Sequence, residues 1–170
     1  MRHTIFLLLL AGGCFAWAQT IPAASELQAP AGQVKLFEFK TLPASVQIYT
    51  CKAGASDTFT WAGPDPDAIL QSRDKSLTVH HYKGPTWEAT DGSIVKGSNA
   101  KHFRPTREKA VDWLELTAKS GTQQFANIAF IHRIETEGGV QPDPATCDAT
   151  HTGEQVRVPY SATYEFYGTK

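Results

Sequence analysis

The chain has 170 residues, with 16 Lys and Arg against 17 Asp and Glu, for a formal net charge of −1. That balance, without a basic run or a basic amphipathic segment, excludes the concentrated positive charge on which nucleic-acid binding and docking to a membrane surface depend. Hydrophobic residues make up 41% of the chain, and the length suffices for one domain with a core of its own.

The N-terminus comes first in the argument because it sets the compartment. Arg2 and His3 precede an apolar run from Ile5 to Leu10, and Ala16-Trp17-Ala18 follows. Small residues at the two positions a signal peptidase inspects, behind a core too short to span a bilayer, predict a secretory signal over 1–18, cut after Ala18. The expected product is a soluble secreted or periplasmic protein with no transmembrane segment. Leu10-Ala11-Gly12-Gly13-Cys14 approximates a lipobox with its aliphatic residue one place early, so lipid anchoring through Cys14 is the lesser expectation. Cleavage would leave two of the three cysteines, Cys51 and Cys147. In an oxidising compartment such a pair is expected to form a disulfide. Neither lies in a CxxC, which disfavours a reactive or metal-binding thiol pair.

Residues 19–33 are Ala- and Pro-rich and read as an extended lead-in. The rest, 34–170, reads as one β-rich domain. Short runs with period-two alternation or β-branched and aromatic enrichment cover 34–39, 46–52, 58–62, 77–82, 86–89, 93–97, 112–118, 125–134 and 161–167. Gly, Pro, Asp and Ser clusters separate them. The expected fold is all-β, a single antiparallel β-sandwich or small β-barrel with one or two short helical turns. Residues 65–70, with an acidic first turn, and 107–110 are the places expected for those turns. Asp91-Gly92-Ser93 predicts a hairpin turn between 86–89 and 93–97. The segment 138–153 has no periodicity and reads as a long loop braced by Cys147. A βαβ rhythm and a Gly-rich strand-to-helix loop are both missing, which argues against dinucleotide and P-loop chemistry. No cofactor is expected.

Several segments together resemble the domain-of-unknown-function family 3455. They are Ile48-Tyr49-x-Cys51, His81-Tyr82-x-Gly84-Pro85-Thr86-Trp87-Glu88, Asp91-Gly92-Ser93-x-Val95-x-Gly97 and Trp113-Leu114-x-Leu116. Arg133-Ile134-x-Thr136-x-Gly138-Gly139, Cys147-Asp148 and Val158-Pro159-Tyr160-x-Ala162-x-Tyr164-x-Phe166-Tyr167 complete the pattern. The resemblance covers about 46–167. It implies a single secreted domain and carries no activity with it.

The densest set of reactive side chains lies in 77–97. Strand alternation puts His81 on one face with Leu77 and Val79, and the Gly84-Pro85 turn brings Trp87 and Glu88 back beside it. His81, Glu88 and Asp91 are candidate metal ligands, or acid and base groups. The bland reading of the same residues is a core Trp87, an ion-paired Glu88 and an Asx turn at Asp91. His132 shares a face with Ile128, Phe130 and Ile134, so it reads as a core histidine or a ligand. Arg133, on the opposite face, is a candidate anchor for an anion, or a partner for Glu135 or Glu137. Asp148 and His151 are loop candidates. Tyr160, Tyr164, Phe166 and Tyr167 read as sheet core or as the wall of a pocket, with Tyr164 and Trp87 the candidate ligand contacts. Ser93, Ser120 and Ser161 lack the context of a hydrolase nucleophile. The leading functional expectation is non-catalytic binding of a small molecule or an envelope macromolecule. The alternatives are a hydrolase or metal-dependent enzyme using His81, Glu88 and Asp91, and an envelope-interaction or inhibitor protein.

Overall fold

A computed structural model describes residues 20–170; the expected signal segment, its cut after Ala18, and Cys14 lie outside the described residues. Nine strands follow in order: β1 Val34–Thr41, β2 Val46–Ala53, β3 Phe59–Ser72, β4 Thr78–Tyr82, β5 Thr86–Ala89, β6 Ile94–Phe103, β7 Trp113–Gly121, β8 Ile128–Gly138 and β9 Gln155–Gly168. Each falls on one of the runs read from the sequence. Four single-turn 3-10 segments, Ala24–Glu26, Gln123–Phe125, Pro144–Thr146 and Ala149–His151, are the helical structure among the described residues. No helix among them is long and apolar enough to cross a membrane.

All nine strands join one antiparallel sheet, and that sheet closes on itself. β2 through β9 pair in sequence order, with β3 also bonded to β4 and β2 to β9. β1 and β2 share one position in the ring. Along β9 the register runs from Val34↔Gly168 to Lys40↔Thr163 on β1, then from Val46↔Pro159 to Thr50↔Gln155 on β2. They are one strand interrupted at 42–45. The result is an up-and-down barrel of eight strand positions, which leaves no long unpaired edge.

Two expectations fail here. Residues 65–70 form part of β3 instead of a helical turn. Their burial alternates, with Ala68 and Leu70 buried and Ile69 exposed, and the segment pairs with β2 on one side and β4 on the other. Two partner strands outweigh a local acidic first turn. Residues 107–110 hold an irregular turn, stitched by a bridge from Ala110 to Gly138. The Asp91–Ser93 hairpin turn forms as expected. Gly92 sits at φ +87° and its N–H donates to the Ala89 carbonyl at 2.9 Å.

An eight-position barrel encloses just enough room to fill with side chains or to hold one small ligand. This barrel does both, at opposite ends. At the end where 73–77, 90–93 and 122–127 make the turns, Phe39, Phe125 and Phe166 are fully buried. Their rings meet in edge and tilted contacts, Phe39–Phe166 at 5.1 Å and Phe125–Phe166 at 5.3 Å. That plug makes the barrel a cup. The other end, carrying 54–58, 83–85, 104–112 and 139–154, stays hollow.

Candidate ligand-binding site

The hollow end is a cavity of about 490 Å³, within the size range of small-molecule sites. Its wall is mostly apolar: Pro64, Pro66, Ala110, Val111, Leu114 and Leu116 among others. The strand pleat decides which residues reach it. On β4 and β5, His81 pairs with Trp87 and both point inward. Their rings stack at 4.2 Å, 3° from parallel, and Tyr164 meets His81 edge-on at 5.1 Å. Gly97 on β6 makes room for this stack, because a Cβ there would lie 3.1 Å from both Trp87 and Leu116.

His81 is fixed in one tautomer. Its Nδ1 lies 3.0 Å from the Thr86 carbonyl, which can only accept, so Nδ1–H donates and Nε2 is left as an acceptor. Burial pushes the imidazole from 6.5 down to about 3, against the opposing pull of the Thr86 bond. The unfolded chain takes up this proton near 6.5, so the contribution of His81 to stability is complete above that pH. It is lost progressively as pH falls toward 3. Burial lowers His132 as well, in the same direction. The urea midpoint of His81→Asn is therefore expected to approach that of the unmodified protein as pH falls from 7.5 to 4.5. A gap that stays constant would show that His81 titrates alike in both states.

Arg133 also faces the cavity and is 8% exposed. Its Nε and Nη2 donate to the Asp112 carbonyl at 3.1 and 2.8 Å. This ties β8 to the β6–β7 loop. It pairs with neither Glu135 nor Glu137, contrary to one expectation. The Glu135 carboxylate accepts from the Thr163 hydroxyl, and Glu137 pairs with Arg107 at 3.3 Å. Gln47 is fully buried, and neither end of its amide has a hydrogen-bond partner among the described residues; the same holds for the Trp87 indole N–H. At the rim, Asp65 pairs with Lys83 at 2.9 Å and Asp112 with His102 at 2.9 Å.

The long loop forms one side of the mouth, where Val140 and Gln141 line the cavity. Cys51 and Cys147 are bonded, as expected, with Cα atoms 5.4 Å apart. Trp61 packs on the bridge, and its Nε1 donates to the Asp143 carbonyl and to the Thr146 hydroxyl, both at 3.2 Å. The Tyr49 hydroxyl donates to the Gly139 carbonyl at 2.7 Å. Asp148 and His151 serve this brace. The Asp148 carboxylate accepts from the Thr150 and His151 amides, and side-chain bonds from the Thr150 hydroxyl and the His151 ring hold it down to about 2. A disulfide is compatible with an extracytoplasmic location.

The other candidates are dispersed. Glu88 lies opposite His80 on the outer face, where it accepts from the Tyr82 hydroxyl at 2.9 Å. Asp91 caps its turn by accepting from the Ser93 amide, with Gln124 also donating to it. His81, Glu88 and Asp91 therefore do not meet, and no group of three His, Cys, Asp or Glu side chains suited to a metal exists among the described residues. His132 is buried, but on the outside of the barrel. Its register partners are Glu115 and Glu165, its Nε2 lies 3.2 Å from Glu115, and Tyr167 covers it. A bulge between Ile128 and Phe130 reverses the parity, placing Ile131 and Arg133 inside instead.

The sequence matches the family described as "Protein of unknown function (DUF3455)" over residues 30–168. The chain belongs to the DUF3455 family. Neither the curated proteins nor the solved structures compared contain a match to it. Of the residues that carry the DUF3455 resemblance, Tyr49, His81, Trp87, Arg133 and Tyr164 line the cavity, and Cys51 and Cys147 fasten its rim. Gln47 escaped the sequence reading. It shares strand parity with Tyr49 and Cys51, and that alternation is the signal that would have placed it inside.

Proposed function

We propose that this protein is a secreted, non-catalytic barrel that binds a small molecule in the open end of its cup. The observation that carries the reading is an apolar cavity lined by residues that carry buried, unpartnered polar groups, the Gln47 amide and the Trp87 indole N–H. Each such group left unbonded costs roughly 1–3 kcal/mol, a cost that a matching ligand offsets. Two features support export: the signal-like N-terminus and a disulfide that fastens the mouth. The dispersal of His81, Glu88 and Asp91 favours binding over catalysis.

Ala100 is exposed on the cavity rim, so a large side chain there blocks entry at little cost to the core. Native mass spectrometry of the protein purified from its own host is expected to show an adduct of several hundred daltons. Ala100→Trp is expected to lack that adduct while melting within a few degrees of the unmodified protein. An adduct that survives Ala100→Trp, or its absence from both proteins, refutes the cavity as the site.

A further inference from the structure

We infer that the ligand is a monocarboxylate, an apolar body whose single acidic head is held by Arg133; this rests on the cavity being a ligand site. Arg133 is a buried cation, and no carboxylate pairs with it among the described residues. Of the two carboxylates on the cavity rim, Asp65 is paired with Lys83, and Asp112 is hydrogen-bonded to the His102 ring. The other titratable groups around Arg133 are neutral. Burial pushes the Tyr49, Tyr160 and Tyr164 phenols up and pushes the His81 imidazole down. Asp112 offers Arg133 only its backbone carbonyl. A buried charge without a counter-ion is costly, so the cavity holds a standing attraction for one negative charge.

The guanidinium geometry narrows the class. The Asp112 carbonyl takes the Nε–Nη2 edge. The Tyr164 phenol also bonds the guanidinium, and the Nη1–Nη2 edge that no Asp112 oxygen occupies is a fork whose spacing matches the two oxygens of a carboxylate. A phosphate monoester would bring a second negative charge with no second buried cation to meet it. The rest of the wall is apolar and aromatic, which calls for a hydrocarbon or aromatic body. Gln47 supplies an amide N–H for a carboxylate oxygen, and His81 Nε2 accepts from any hydroxyl on the body.

The test compares matched pairs: 1-naphthoate with 1-naphthalenemethanol, cinnamate with cinnamyl alcohol, and decanoate with decanol. Binding is followed by titration calorimetry and by tryptophan fluorescence. In at least one pair the acid is expected to bind ten-fold or more tightly than its alcohol. Arg133→Met is expected to erase that preference, so that acid and alcohol bind alike, and Arg133→Lys to restore part of it. Should Arg133→Met fail to fold, the acid-to-alcohol ratio at Arg133→Lys, a charge without the fork, is expected to drop at least three-fold. Equal affinity for acid and alcohol in every pair, or a preference untouched by these variants, overturns the carboxylate assignment and leaves the cavity reading standing. Failure of all six compounds to bind overturns both.

Discussion

Replacing both Cys51 and Cys147 by serine is expected to lower the stability of the protein by about 4–5 kcal/mol, the cost assigned by chain entropy to reopening a loop of about 95 residues. Typical domains hold only about 5–15 kcal/mol in total, so the loss is a large share of the whole. The bridge also joins β2 to the middle of the loop from β8 to β9. Around it, the Cys51 carbonyl accepts from Gly153 and the Cys51 amide donates to Glu154, each at 2.9 Å. Without the covalent tie, that loop depends on those bonds and on Trp61. Val140 and Gln141, two elements of the mouth, lie on the same segment. The variant is therefore expected to bind ligand more weakly at temperatures where it is still folded. Urea denaturation with and without reductant measures the first effect. Free-thiol titration of the denatured, unreduced protein beginning at Gln19, and so without Cys14, should find no thiol. A midpoint that reductant does not move would show that the loop holds itself.

The strands were legible because each carries its own local signal. Leu77, Val79 and His81 alternate with polar residues, and the pleat places them inside as read. The Asp91-Gly92-Ser93 turn was legible because glycine is the residue that tolerates a positive φ there. Closure of the barrel was not. It depends on β1 and β2 pairing with β9, more than a hundred residues away, and no local pattern encodes that contact. The β8 bulge explains why His132 and Arg133 exchanged sides in part. Alternation predicts that neighbouring residues face opposite ways, but one inserted residue decides which of the two faces is the inner one. Asp65–Leu70 misled for a related reason. Its acidic residues suit a helix start, yet Asp67 is committed to an ion pair with Arg157 at 2.6 Å and a hydrogen bond with His80 at 3.0 Å on the barrel surface. Of the site, the aromatic half was legible from its strands. The part of the wall contributed by 110–112 and 140–141 was not, since those residues reach the cavity only through loop conformation.

Trp87 is where stability and binding meet, and two substitutions should separate them. The side chain is 1% exposed. It stacks on His81 at 4.2 Å and meets the rings of Tyr164 and Phe166, each at 5.9 Å. Trp87→Ala removes all of these contacts and joins a new void to the existing cavity, so a loss of about 3–5 kcal/mol is expected. Trp87→Phe keeps an aromatic ring in the stack. It also deletes the indole N–H, which has no partner, and removing an unsatisfied buried donor returns roughly 1–3 kcal/mol. That gain offsets most of the cost of the smaller ring, and Trp87→Phe is expected to fall within about 1.5 kcal/mol of the unmodified protein. Its affinity for ligand should nevertheless drop about ten-fold, the value of one hydrogen bond in a dry site. Chemical denaturation and calorimetry on the same two variants give both numbers. If Trp87→Phe loses as much stability as Trp87→Ala, the indole N–H is bonded in solution, and the case for an unmet donor in the cup fails. If it keeps both its stability and its affinity, Trp87 is packing alone, and recognition rests on Gln47, His81 and Arg133.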